Sequence, residues 1–525
     1  MQTIVSGKHK LIGVPATEQV VNLFPHGKPH RFMDQSYHLI PHSETEVYLL
    51  RKIGFDAPAP ILTQYHFPMQ MGLSAFDVQR KTCALLTMAQ RAYVLNGMGT
   101  GKTKCALWSF DYLKRTKRAH KMLVVAPLST LTFVWVREAF EVDANLKVVV
   151  LYGSKQERLK RLAEDADIYV INHDGVKVIE KELNLRTDID VLCIDELAKY
   201  RNKSERTKLM VTLASKKAWV WGMTGSPMPH EPTDVFYQCK VVTPATVPRY
   251  FSHFRSELMY PLGNLNKWVP KADAVERAYD VLQPAVRFTI DEVQELPPCV
   301  ERFVDVDMGK IQQKVYKDIV AHCQSAFQSG DLVKAANAGA AMSKLMQISM
   351  GWVYTTDAQG NSNTIPLDNT KRIEALVDAI ESTNRKVLVF VPFIHALDGI
   401  GAALTKEGID YETVSGATPT KERNRIFNVF QNTSKLKVLL AHPQCVAHGI
   451  TLTAADTIVW FGPITSLETY DQANHRIKRV GQKHKQQIIH LQSTAVERKI
   501  YKMLRDKQDV QVKFLQMFAD TNEVW

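Results

Sequence analysis

In "LNGMGTGKTKCALW", residues 95–108, glycine, lysine and threonine stand at the spacing of a phosphate cradle. Gly99 and Gly101 keep the backbone free of side-chain bulk, so successive N–H groups, Thr100 among them, can turn inward around a polyphosphate. Lys102 would reach the β- and γ-phosphates, and the Thr103 hydroxyl would ligate Mg²⁺. The strict pattern G-x-x-x-x-G-K-[ST] asks for glycine at position 96, where the chain carries Asn96. Downstream, "TKCALWSFDYLKR" has apolar residues at helical spacing, which puts the bound anion at a helix N-terminus.

A second stretch, "VLCIDELAKYRN", supplies the partners that such a loop needs. Val191 to Ile194 form a short apolar run that reads as a buried strand, with Asp195 and Glu196 emerging at its carboxyl end. Open parallel sheets place their ligands at that end. Asp195 would hold Mg²⁺, usually through water, and Glu196 would orient or deprotonate an attacking water. Alone, a D-E pair after a strand is also a common helix cap. The lysine loop upstream favours the chemical reading.

These residues need a rigid scaffold, and the chain is patterned to make one. Short apolar runs alternate with helical patterns, which reads as α/β with parallel sheets. Candidate strands are "KMLVVAP", "KVVVLYG", "DIYVINH", "DVLCIDE" and "AWVWGMT", then "RKVLVFVP", "LKVLLAHP", "TIVWFGP" and "QQIIHLQ". They fall into two groups, separated by a Pro- and aromatic-rich stretch and a helical one from Lys310 to Ile348. The expected layout is an accessory domain over 1–70, a first lobe over 71–240, a helical connector over 241–350 and a second lobe over 351–525. The first seventy residues carry helix-like patterning around "ETEVYLLRKIG" but no identifiable chemistry.

The 525 residues hold 45% hydrophobic and 23% charged side chains, ordinary for a soluble globular chain. No apolar run approaches a membrane span, and the N-terminus lacks the apolar core of a secretory signal. Seven cysteines are scattered singly, which argues for a reducing compartment and against a zinc module. The net charge of +12 suits a polyanionic partner without specifying one. His173 and His448 have no metal-ligand spacing around them and read as hydrogen-bonding groups.

The two motifs together resemble superfamily-2 helicases and translocases, and more closely their Swi/Snf-type branch of double-stranded-DNA translocases. The likeness runs from about Leu73 to Leu504, with the motifs in the family's order. It implies two RecA-like lobes that bind ATP with Mg²⁺ between them and grip double-stranded or forked DNA. "LSAFDVQRKTCALL" is similar to the adenine-reading segment, making Gln79 the base contact. "LVVAPLSTLTFVW" resembles a backbone-contacting loop, with Ser129 and Thr130 in the contact positions. "WGMTGSPMP" matches the T-G-[ST]-P coupling motif at Thr224 to Pro227. "VLQPAVRFTIDEVQELPP" looks like the segment ahead of lobe two. "VSGATPTKER", with Thr418 at a DNA contact, "VAHGITLTAAD", with Gly449 at the nucleotide, and "YDQANHRIKRVGQ" follow. Arg476 and Arg479 stand one helical turn apart, so both guanidiniums should share a face. The resemblance makes them arginine fingers for the γ-phosphate, a role that planar permanent cations suit.

Several positions depart from the family. "DELA" puts Leu197 and Ala198 where alanine and a coupling histidine or glycine usually stand. His475 replaces an aspartate, Ala447 replaces the first glycine of G-x-G, and the connector keeps Arg287 without the usual double arginine. The expectation is a nucleic-acid-stimulated ATPase, a monomeric DNA motor in the cytoplasm of a bacterium or a virus-infected host. Two alternatives stay open: a single-strand or RNA helicase, and a DNA-binding module that uses ATP as a switch. "HRIKRVGQ" ends in Gly-Gln rather than Gly-Arg-x-Gly-Arg, which speaks against an RNA helicase of the D-E-A-D type.

Overall fold

The computed structural model describes residues 3–69, 74–262, 267–289, 292, 297–328, 335–356, 362–446, 450, 452–479 and 482–506. The chain divides into two compact units, Met1–Gln294 and Glu295–Trp525.

The first unit opens with an antiparallel sheet of strands β1 (Ile4–Ser6), β2 (Leu11–Pro15), β3 (Lys28–Phe32) and β4 (Gln35–Pro41), in the order β1-β2-β4-β3. The expected helix is present as Glu44–Lys52. Ile12, Val14, Phe24, Ile40, Val47 and Leu50 close a small core of their own. Polar contacts fasten this module to the helix Lys102–Arg115 and the turn after it. Glu44 pairs with Arg118 at 2.5 Å and accepts a hydrogen bond from the Tyr112 hydroxyl at 3.1 Å. The Tyr65 hydroxyl donates to Asp111 at 2.6 Å.

The rest of the first unit is built on seven parallel strands. They are β5 (Arg91–Val94), β6 (Lys121–Ala126), β7 (Val148–Leu151), β8 (Ile168–Asn172), β9 (Ile189–Asp195), β10 (Trp219–Met223) and, after a hairpin of β11 (Met259–Leu262) and β12 (Lys267–Pro270), β13 (Ala285–Val286). Their order is β13-β5-β10-β9-β6-β8-β7. Helices cover both faces, so the strand interiors are largely apolar. On β6, Leu123 and Val125 join one core while Met122 and Val124 join the other, as strand alternation requires.

The second unit repeats the plan. Strand β14 (Cys299–Asp305) is followed by a small hairpin of β15 (Trp352–Thr356) and β16 (Ser362–Pro366). Strands β17 (Lys386–Phe390), β18 (Tyr411–Val414), β19 (Val438–Ala441), β20 (Ala455–Trp460) and β21 (Gln486–Gln492) complete it. Six of these make a parallel sheet in the order β14-β21-β20-β17-β19-β18. All nine strands expected from apolar runs are found. Trp460, the last residue of β20, and Phe461, which follows it, are fully buried in the core rather than an exposed pin.

One buried ion pair braces this unit. Arg372 and Glu497 meet at 2.7 Å with side chains 2% and 0% exposed. Arg372 also donates to the Leu491 carbonyl at 2.8 Å, and Glu497 caps its own helix by accepting from Thr494 N–H at 3.2 Å. Removing one partner strands a buried charge, which costs about 3–5 kcal/mol. Glu497→Ala should therefore lower the urea midpoint of the second unit sharply. The double change Arg372→Met, Glu497→Leu should recover most of it. A single variant as stable as wild type would show that the pair is not braced as described.

Candidate nucleotide site

The strand order brings three motifs to one sheet edge. β10 lies between β5 and β9, with Met223 opposite both Val94 and Asp195. The loop that follows β5 and the carboxylates that end β9 are thus two strand spacings apart, about 10 Å.

The loop turns on its glycines. Gly99 and Gly101 have φ of 80° and 84°, in the left-handed region that side chains disfavour. A Cβ on Gly101 would lie 2.4 Å from Gln79 Nε2, so the cradle has no room for one. Lys102 then opens its helix, which leaves the first N–H groups aimed at the loop. The Lys102 ammonium donates to the carbonyls of Asn96 at 2.8 Å and Gly97 at 3.1 Å. Thr100 is buried, its hydroxyl donating to Gly97 O at 2.9 Å, and Thr103 stands half-buried in the first helical turn.

Gln79 is committed on both sides of its amide. Its Oε1 accepts from Phe76 N–H and its Nε2 donates to the Thr100 carbonyl, each at 3.1 Å. One amide hydrogen and one lone pair remain for a base. The expected adenine reader is therefore also a strut beneath the cradle.

Asp195 and Glu196 end β9 in a tight turn. Glu196 has φ 55°, a conformation an L side chain holds only when its surroundings impose it. Its N–H donates to Asp195 Oδ1 at 3.1 Å. Burial and the adjacent Glu196 charge push the Asp195 carboxyl well above the usual carboxylate range, and Lys102 opposes that shift. A carboxyl so placed suits a divalent cation, whose charge would hold it ionised. Asp195 and Thr103 carry the oxygens expected to hold Mg²⁺. Beyond the pair, the chain forms a short 3₁₀ turn, Leu197–Tyr200. The departure at Leu197 has a packing reason. A Cβ on Gly222 would come 2.6 Å from Leu197 Cδ2, so the larger side chain occupies the space that this glycine leaves.

The T-G-S-P segment completes the edge. Thr224 N–H donates to Val94 O at 3.0 Å, and Ser226 N–H to Thr224 Oγ1 at 3.3 Å. A Cβ on Gly225 would lie 3.5 Å from Asn96 O and 3.8 Å from Lys102 Nζ, so this motif sits against the loop itself.

Elsewhere in the first unit, Ser129 and Thr130 lie in the turn Leu128–Thr130 after β6. Ser129 is half-exposed, whereas Thr130 is buried with its hydroxyl donating to Pro127 O at 2.8 Å.

In the second unit, Thr418 is half-exposed and its hydroxyl accepts from Ser415 N–H at 3.0 Å. Gly449, with Ala447 and His448, lies outside the described residues. Arg476 and Arg479 do converge, but not along a helix. The helix Leu467–Asn474 ends before them, with His475 as its cap. The chain is drawn away because the Arg476 carbonyl accepts from Leu452 N–H at 3.2 Å. Both guanidiniums reach one carbonyl, Ile450 O, at 3.0 and 3.3 Å. Arg476 is buried and also donates to Gln472 O at 2.7 Å, while Arg479 is half-buried.

No group of three His, Cys, Asp or Glu side chains placed to hold a metal occurs among the described residues, and no described helix is long and apolar enough to cross a membrane. Sequence spacing gave Asn96 no role, because its partners are distant, and missed the strand β13 beside the loop.

Two parallel-sheet lobes, the first carrying a phosphate loop beside an acidic strand end, define a helicase-like ATPase of superfamily 2. The chain belongs to the SNF2-related family: the SNF2-related domain matches residues 86–354, and the helicase conserved C-terminal domain matches residues 371–481. It is 23% identical over 462 residues to the Caenorhabditis elegans homolog of the SWI/SNF-related matrix-associated actin-dependent regulator of chromatin subfamily A containing DEAD/H box 1, covering 75% of this chain and 46% of that one. Protein p41 of Acyrthosiphon pisum secondary endosymbiont phage 1 is 25% identical over 429 residues, 76% of this chain and 87% of that one. An ATP-dependent helicase of Mycoplasma pneumoniae is 23% identical over 440 residues, 80% and 39% of the two chains. The chain thus spans under half the length of the nematode and Mycoplasma relatives. Among solved structures, the Sulfolobus solfataricus SWI2/SNF2 ATPase core in complex with dsDNA aligns over 87% of this chain and 97% of that one, at 21% identity and a TM-score of 0.39.

Proposed function

We propose that this chain is a Mg-ATP-driven motor that tracks the backbone of double-stranded or forked DNA. The observation that carries the reading is the convergence of Lys102, Asp195 with Glu196, and Thr224 to Pro227 at neighbouring strand ends of one sheet. The division into accessory domain, first lobe, connector and second lobe is part of the proposal.

Lys102 exchanges the Asn96 and Gly97 carbonyls for the β- and γ-phosphate oxygens when ATP enters the cradle. Glu196 orients a water toward the γ-phosphorus and accepts its proton as the P–O bond to ADP breaks. Thr103 and Asp195 would hold Mg²⁺, which would supply positive charge at the phosphates. Arg476 and Arg479 stabilise the charge that spreads over the γ-phosphoryl oxygens. Gly449 contributes to nucleotide binding, and Gln79 keeps its remaining amide valences for adenine. Ser129, Thr130 and Thr418 hold DNA phosphates, and Thr130, whose hydroxyl and N–H both donate to Pro127 O, releases one of those bonds to do so.

Phosphate contacts position a protein without reading sequence. A motor that grips only the backbone displaces obstacles and leaves base pairs closed. In the second unit, the segment between β20 and the helix Leu467–Asn474 is short, and Trp460 and Phe461 are buried, so that segment offers no wedge. We expect efficient ATP-dependent displacement of the third strand from a DNA triplex and weak unwinding of a tailed duplex. Measured side by side, robust unwinding without triplex displacement would overturn the translocase reading and favour a helicase.

A further inference from the structure

We infer that Asn96 is a positioning residue that ties the nucleotide loop to the strand leading out of the first unit. The inference rests on the proposed role of Lys102 as the phosphate-holding lysine.

Asn96 is 1% exposed, and both ends of its amide are used. Its Nδ2 donates to Thr82 Oγ1 at 3.0 Å, on the helix Asp77–Met88, and its Oδ1 accepts from Phe288 N–H at 3.0 Å. The adjacent Gly97 N–H donates to Phe288 O at 2.8 Å, so residue 288 is clasped from two sides. The clasp extends an existing ladder. Tyr93 N–H bonds Pro284 O at 3.0 Å and Leu95 N–H bonds Val286 O at 2.8 Å. The parallel pairing of β5 with β13 therefore continues past the end of the sheet and into the phosphate loop itself.

The two loop residues gripped by Phe288 are those whose carbonyls hold the Lys102 ammonium. One short backbone segment is thus bound on one side by the exit strand and on the other by the phosphate lysine. Displacing the exit strand shifts the carbonyls that compete with phosphate for Lys102. Because Phe288 shortly precedes the division between units at Gln294, movement of the connecting chain reaches the nucleotide loop through this clasp. A buried amide bonded at both ends makes this link stiff, so displacement at one end is passed to the other.

The same contacts bear on two positions of the sequence, one that fails only the strict loop pattern and one that departs from the resembled family. Glycine at position 96, which the strict loop pattern demands, has no side chain with which to hold Phe288. The clasp uses only the backbone of residue 288, so phenylalanine serves where the resembled family has a second arginine.

The test compares full-length variants by the ratio of ATP turnover with duplex DNA to turnover without it, and by affinity for a fluorescent ATP analogue. Asn96→Gly, although it restores the strict pattern, should lower that ratio by about 5-fold or more, the range of a typical coupling energy. Asn96→Asp keeps the acceptor for Phe288 N–H and should hold the ratio within about 3-fold of wild type, below that range. Thr82→Val removes the other arm at constant shape and should leave the ratio equally intact. If Asn96→Gly does not fold, Phe288→Pro removes the donor from the opposite side and should reproduce the loss. An unchanged ratio in Asn96→Gly or Phe288→Pro overturns the inference. So does a loss in Thr82→Val equal to that in Asn96→Gly, which would make Asn96 a brace for its helix alone. An unstimulated wild type, or ATP affinity that survives Lys102→Ala, would overturn the motor reading itself.

Discussion

Arg479→Ala is expected to lower ATP turnover by about 10³-fold or more with little change in ATP affinity. A finger contributes little while ATP is merely bound. Its guanidinium acts on charge that spreads over the γ-phosphoryl oxygens only as the bond breaks, so its loss falls on kcat rather than KM. A 10³-fold loss corresponds to about 4 kcal/mol of transition-state stabilisation. The structure separates the two arginines in a way their spacing does not. Arg479 is half-buried, with Ile450 O as a hydrogen-bond acceptor, whereas Arg476 is buried and also bonds Gln472 O. Arg476→Ala should lose turnover comparably and lower thermal stability as well. Single-turnover hydrolysis and analogue binding separate the two effects. Normal hydrolysis in both variants would leave this turn as a basic surface and remove the finger mechanism.

Lys102→Ala should abolish measurable ATP binding, while Glu196→Gln should bind ATP normally and scarcely turn it over. Lys102 is placed to meet phosphates in the ground state. With alanine there, the carbonyls of Asn96 and Gly97 lose their cation and face the incoming phosphates unscreened. In the proposed mechanism Glu196 acts on the attacking water alone, and glutamine keeps its size and its left-handed backbone while losing the basic oxygen. Equilibrium titration with a fluorescent ATP analogue, followed by turnover at saturating ATP, distinguishes the two variants. Equal loss of affinity in both would contradict this division of labour.

The chemistry at each motif was legible because it is local. A phosphate loop needs Gly99, Gly101, Lys102 and Thr103 within a few residues of one another. An acidic strand end needs an apolar run just before Asp195. Apolar runs of four to seven residues marked nine of the parallel strands, since strands buried on both faces have little polar content. Weaker signals were missed for the same reason. β13 is two residues long, and β3 is exposed along its whole length, so neither carries apolar patterning.

Arginine spacing suggested one helical face at 476 and 479, yet the helix ends at Asn474. Periodicity carries no information about a competing partner such as Leu452 N–H, which takes the Arg476 carbonyl from another part of the chain. Gln79 was legible as a residue near the nucleotide, but its bond to Thr100 O depends on how its helix meets the loop 21 residues later. Asn96 is the clearest case. As a letter it is a broken consensus, and its meaning comes from Phe288, 192 residues further on.

The sequence by itself determined the alternation that builds parallel sheets and the motifs from which phosphoryl-transfer roles are proposed, because both depend on neighbours along the chain. Only the tertiary structure decided which strands lie side by side, and hence that the lysine loop, the acidic pair and the T-G-S-P turn share one edge. It also decided that Asn96 and Gly97, ahead of the loop's two left-handed glycines, bond the backbone of Phe288. The physical reason is that a hydrogen bond or a filled space is chosen by packing in three dimensions, and sequence spacing does not encode partners this far apart.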